Sequence, residues 1–311
     1  MQTHIRVLLA VSFLSVALYP DSGIAQKAVA GNEDWGSISL PNDLKAALPL
    51  VAERDEYPTF VREMIELKWR AGDPIHLFLI LPKGRPKPPV VLYLYSFPSD
   101  TSRFLDDDSC KLMAQNGYAA AGFVSALTGQ RYHNRGMKQW FISELQESVG
   151  SSVHDVEMIL NYLASRGDVD ITRAGMFGQG SGATIAILAA AADPRIKALD
   201  LIDPWGDWPE WLAQSTLIPS DERAEYLKPE FLKKVAPLDP VEWFGKLTIP
   251  VRLQYLSEAL VTPPMARDRV AAAAPPQTRI IRYKDALARY KAAPQKFLDW
   301  IKGQLHGVGG H

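Results

Sequence analysis

A short apolar stretch, Ala174-Gly175-Met176-Phe177, runs into the turn Gly178-Gln179-Gly180-Ser181-Gly182, and an alanine-rich helical segment, Ala183 to Ala192, follows. Three glycines in five residues let the backbone reverse sharply between a buried strand and a helix. A strand that feeds a helix across so tight a turn is the unit from which parallel sheets are wound. If strands and helices alternate on either side of this step, the chain specifies a mostly parallel sheet.

Those units are present. Val61 to Trp69 partly alternates and predicts a strand; Ala71-Gly72-Asp73-Pro74 is a turn, and Ile75 to Leu81 returns. After the proline-rich Arg85-Pro86-Lys87-Pro88-Pro89 comes Val90-Val91-Leu92-Tyr93-Leu94, a continuous apolar run of the kind buried on both faces of a parallel sheet. A helix is predicted over Asp108 to Asn116, a strand over Ala119 to Val124, and a helix over Ser148 to Arg166. Beyond the glycine turn come strands at Ile196 to Ile202, Pro250 to Leu256 and Thr278 to Tyr283, with helices at Met265 to Ala274 and Pro294 to Leu305. The expected fold class is α/β, a mostly parallel sheet with helices on both faces. Its domain spans 61–305, with a helical, lid-like insertion at 204–246. Residues 26–60 read as an N-terminal extension and 306–311 as a tail.

The first 25 residues read as an export signal. Arg6 precedes the apolar run Val7 to Leu18, Pro20 breaks it, and cleavage is expected after Ala25 or after Ala30. The expected location is secreted or periplasmic, with no membrane association once the signal is removed. A formal net charge of −1 without a basic block argues against nucleic acid as a partner. The lone cysteine, Cys110, sits on an amphipathic helical pattern and is expected to be a buried small hydrophobe.

Two segments carry a family resemblance. Asp168-Val169-Asp170-Ile171-Thr172-Arg173-Ala174-Gly175-Met176-Phe177-Gly178 is similar to the Asp-x-x-Arg-x-Gly-x-x-Gly approach to the nucleophile of the α/β-hydrolase fold, in its dienelactone-hydrolase and prolyl-oligopeptidase-like branch. Ala192-Asp193-Pro194-Arg195-Ile196-Lys197-Ala198 resembles that family's run into the next strand. The resemblance implies an elbow of the form G-x-S-x-G with a serine at its apex, an acid, a histidine and an oxyanion pocket. Each of the four positions is altered. Gly180 holds the apex. Ala259 holds the acid's place, in Ser257-Glu258-Ala259-Leu260-Val261-Thr262-Pro263-Pro264. The loop expected to carry the histidine reads Lys284-Asp285-Ala286-Leu287-Ala288-Arg289, with Ala288 at the position, and no histidine lies between His154 and His306. Tyr95-Ser96 stands where the family often has His-Gly.

Of the residues that remain, Ser181 has two readings: a helix cap, or a nucleophile displaced by one position. His133, in the polar loop Gly129 to Gly136, is either a surface residue or a displaced base, and Asp203 either braces its turn or orients that histidine. Without a base in reach a serine hydroxyl is a weak nucleophile. Trp205, Trp208 and Trp211 follow one another at helical spacing and serve either as packing or as the wall of a ligand cleft. Tyr95, Ser96, Gln179, Trp205 and Trp208 are the candidate ligand contacts. Neither His76 nor His154 has a partner at metal-ligand spacing, and no cofactor is expected. The sequence thus favours a secreted hydrolase-like protein without the triad, holding a small molecule in a former catalytic cleft. The alternative is an active hydrolase of small esters or peptides that uses Ser181 with His133. A different reaction in the same cleft, drawing on Tyr95, Ser96 and Tyr132, is a third reading that nothing in the sequence selects.

Overall fold

The computed structural model describes residues 33–41, 49–70, 73–96, 101–127, 141–292 and 299–307. Nine strands form one sheet: β1 (Leu50–Glu56), β2 (Phe60–Leu67), β3 (Ile75–Pro82), β4 (Pro89–Leu94), β5 (Ala119–Phe123), β6 (Asp170–Gln179), β7 (Ile196–Ile202), β8 (Val251–Leu256) and β9 (Arg279–Tyr283). They lie side by side in the order β1-β2-β3-β5-β4-β6-β7-β8-β9. The first three run antiparallel to their neighbours, while β5, β4, β6, β7, β8 and β9 are mutually parallel. The expected mostly parallel α/β sheet is the observed one.

The helices are α1 (Ser102–Leu105), α2 (Asp107–Gln115), α3 (Leu145–Arg166), α4 (Ser181–Ala192), α5 (Trp208–Gln214), α6 (Arg223–Tyr226), α7 (Pro229–Val235), α8 (Pro240–Phe244), α9 (Pro264–Ala273), α10 (Ala286–Ala292) and α11 (Asp299–Gly307). Side chains alternate across each strand, so the sheet divides the core into two layers. Val90, Leu92 and Leu94 of β4 face a layer built with α3 and α4; Val91 and Tyr93 face the other, built with α2 and α11. In that second layer Cys110 is fully buried, as expected of a small hydrophobe.

The sheet differs from the sequence reading at its start and near its end. It begins at Leu50 rather than Val61. β1 is an edge strand with nearly every residue exposed, and Leu-Val-Ala-Glu-Arg-Asp-Glu has no apolar alternation to announce it. Charged edge strands are also the ones that resist further pairing. Near the end, the expected loop at 284–290 is mostly helix α10, whose amide at Ala288 is taken up by the Asp285 carboxylate at 2.7 Å.

Ahead of the sheet, residues 33–41 are tied down by a buried charge cluster. Glu33 accepts from Arg70 at 2.6 and 2.8 Å and from His154 Nδ1 at 2.6 Å, while His154 Nε2 donates to the Ser37 carbonyl at 2.7 Å. Burial alone would raise the Glu33 carboxyl, but the hydrogen bonds from Arg70 and His154 hold it down at about 2. Ile38 and Leu40 then enter the core. The 204–246 excursion contains α5, α6, α7 and α8. It is docked inward: α8 packs on α4 and α9, and Tyr226, Val235, Leu238 and Phe244 are buried.

Candidate active-site elbow

Strand order locates the site before any side chain is considered. From β4 the chain crosses to β5 on one side, and from β6 it crosses to β7 on the other. The crevice beyond the carboxyl ends of two such strands is where doubly wound sheets bind ligands. β4 and β6 pair in parallel, with Leu94 beside Gly178. Two residues further on, the same register brings Ser96 beside Gly180.

Gly180 is the apex of the turn between β6 and α4, with φ 54° and ψ −119°. Residues with a side chain adopt a positive φ of this kind only under strain. The turn is held on both sides: Gly180 N–H donates to the Ile202 carbonyl at 2.8 Å, and its own carbonyl accepts from Ala183 and Thr184. A methyl group added at Gly180 would overlap the Ser96 hydroxyl, with Ser96 Cβ at 2.9 Å and Trp205 Nε1 at 3.1 Å. Gly182 is needed for a different reason. A Cβ there would overlap the Leu94 carbonyl oxygen, because α4 starts directly against β4.

No protein-family model matches the chain, and no curated protein matches it in sequence. Solved structures do. An acetyl xylan esterase from Paenibacillus sp. R4 superimposes with a TM-score of 0.66 at 17% identity, covering 81% of this chain and 88% of that one. Acetyl xylan esterase 1 from Thermoanaerobacterium sp. JW/SL YS485 gives 0.66 at 16% identity, over 81% and 87%. An S-formylglutathione hydrolase from Agrobacterium tumefaciens gives 0.58 at 12%, over 82% and 99%. This chain has the α/β-hydrolase fold. At these identities the likeness fixes the fold and leaves the chemistry to be argued from the site.

Within the hydrolase fold, the residues singled out from sequence fall into three groups. Gly180, Ser96 and Trp205 meet at the apex, with Gln179 half-buried beside them. Ser181 is the first residue of α4 and only 2% exposed. The structure puts Gly180, not Ser181, at the cap position, and no side chain caps the helix there. His133 and Tyr132 lie outside the described residues.

A second group is structural. Trp205 stacks on Trp211 with ring centroids 4.8 Å apart, and Trp208 meets Trp211 edge-on at 5.7 Å. All three indoles are at most 1% exposed, so they form a buried stack rather than an open wall. Tyr95 is buried against Phe177 and Tyr93, with the Arg103 guanidinium 4.8 Å over its ring; burial pushes its phenol up to about 12. Asp203, at φ 44°, accepts from the Leu256 N–H at 3.1 Å and faces Arg267 at 3.5 Å. Burial pushes its carboxyl up to about 6 against the pull of Arg267 and of that amide. His154 is engaged at the far cluster described above, through both ring nitrogens.

The third group surrounds Ala259 and Ala288. The Ala259 carbonyl accepts from Arg267 Nη2 at 2.6 Å, so an arginine braces that loop. Next to Ala288, Arg289 reaches inward and donates to Gln254 at 3.0 Å. Gln254 donates to Asp200 at 2.7 Å, and Asp200 takes a two-pronged ion pair from Arg252 at 2.9 and 2.5 Å. Asp200 is fully buried in the middle of β7, and that burial raises its carboxyl. Sequence reasoning passed over this network. Its signal was a lone aspartate within the apolar run Ile196 to Ile202.

Proposed function

We propose that the chain is a non-catalytic member of the hydrolase fold that binds a small molecule at the carboxyl edge of its sheet. The observation that carries this reading is the apex. Gly180 offers no oxygen, and the room a serine side chain would need there is taken by Ser96 and Trp205. The filled apex argues that more than one atom has been exchanged. We further propose export, on the apolar run Val7 to Leu18 behind Arg6.

A second reading is favoured by the neighbours themselves, which are esterases: an active hydrolase of small esters or peptides, using Ser181 with His133. Assaying p-nitrophenyl acetate and butyrate with the purified chain separates the two. The expected result is no saturable turnover above buffer. Saturable turnover that disappears in both Ser181→Ala and His133→Ala would sink the non-catalytic reading.

A further inference from the structure

The apex carries more than an absence. Ser96 brings a serine hydroxyl to the place the elbow has vacated, although it arrives on a different strand. We propose that Ser96, rather than Ser181, is the nucleophilic hydroxyl of this site, the atom that bonds to an acylating or phosphonylating reagent. The proposal goes beyond the question of turnover and concerns where a covalent bond forms.

Three observations converge. The first is position. The Ser96 hydroxyl crowds the point where a Cβ would leave Gly180, so it brings an oxygen to the apex of the turn. The parallel pairing of Leu94 with Gly178 is what delivers it there. The second is access. Ser96 is half-buried, whereas Ser181 is 2% exposed and lies within the first turn of α4. The third is the electrostatic setting. α4 is a 12-residue helix that begins at the apex, and its N-terminal end favours the negative charge that develops when an oxygen attacks a carbonyl or a phosphoryl centre. Gly182 lets that helix approach β4 closely enough for Ser96 to sit beside its first turn.

With a fluorophosphonate the step is a substitution at phosphorus. The Ser96 Oγ–P bond forms, the P–F bond breaks, fluoride leaves with its electron pair, and the hydroxyl proton passes to solvent hydroxide. With p-nitrophenyl acetate the Oγ–C bond forms and p-nitrophenolate leaves. Because hydroxide takes the proton, labelling is slow at neutral pH and is run at pH 9.

The test uses the full chain, a rhodamine-linked fluorophosphonate and peptide mapping by mass spectrometry. The expected result is one equivalent of adduct, mapped on the unaltered protein to the peptide that contains Ser96. That adduct is expected to be lost in Ser96→Ala and retained in Ser181→Ala. Mapping on the unaltered chain answers the question even where a variant folds poorly. An adduct on Ser181 or any other residue, or no adduct at all, overturns the proposal. Saturable ester turnover would instead overturn the non-catalytic reading, so the two failures are distinct.

Discussion

A serine at position 180 is expected to destabilise the protein. Gly180→Ser puts a side chain on a residue at φ 54°, which costs about 1–3 kcal/mol for backbone strain. It also drives that side chain into Ser96 and towards Trp205 Nε1, an overpacking that costs about 1–3 kcal/mol more. The expected destabilisation is therefore about 2–6 kcal/mol, a large part of the 5–15 kcal/mol typical of a folded domain. The two contributions are separable. Removing the Ser96 side chain relieves the overlap and leaves the strain, so Gly180→Ser should cost about 1–3 kcal/mol less in a Ser96→Gly background. Ser96→Ala should recover less than Ser96→Gly, because the Ser96 Cβ remains 2.9 Å from the added atom. Guanidinium unfolding of the four chains of the cycle, followed by circular dichroism, measures the coupling. If Gly180→Ser is neutral, or if the two substitutions are additive within about 0.5 kcal/mol, Ser96 does not occupy the apex.

Other substitutions probe the surroundings. Gly182→Ala should destabilise by about 2 kcal/mol or more, since its methyl would meet the Leu94 carbonyl within a rigid strand–helix contact; a neutral result in urea unfolding would contradict that geometry. Trp211→Ala should cost about 3–5 kcal/mol and shift the remaining tryptophan emission to the red, because the residue removed is fully buried against Trp205 and Trp208; an unchanged spectrum would contradict the stack. Glu33→Gln should cost about 3–5 kcal/mol at pH 7 by leaving Arg70 and His154 with a weakened partner. The Glu33 carboxyl is held down at about 2, so its contribution is full above the ordinary glutamate range and fades as pH falls from about 4.5 towards 2; the variant should lack that acid limb. Asp203 has the opposite sign. Its folded value of about 6 lies above the ordinary aspartate value, so its contribution is full below about pH 4 and is lost as pH rises through 6, a change on the order of 3 kcal/mol. Unfolding of Asp203→Asn across pH 4–7.5 should show that slope removed, and an unchanged slope would count against the assignment.

Where the sequence was informative, one kind of signal was responsible. β4 is an apolar run and β7 a largely apolar one, and burial on both faces makes such runs visible in the chain itself. The elbow was visible because crowding demands glycine at fixed spacing, and Gly178 and Gly182 both abut backbone. β1 stayed hidden because an exposed edge strand has no face to pattern, and α10 stayed hidden because none of its residues is buried. At the site, local reading identified Gly180 as an absence but could not see what fills it. Ser96 and Gly180 are 84 positions apart, and only the pairing of β4 with β6 brings them together. Arg252, Gln254 and Arg289 escaped for the same reason: each is an ordinary polar residue until Asp200 is placed among them.

The Asp200 network decides how α10 is held. None of the residues of α10 is buried, yet Arg289 ties the helix through Gln254 to a carboxylate in the middle of the sheet. Removing that arginine strands a buried polar partner and costs stability. The helix is moored to the core by a polar line where its neighbours are glued by apolar faces, so cutting Arg289 is expected to set α10 adrift while the sheet beneath it stays in place.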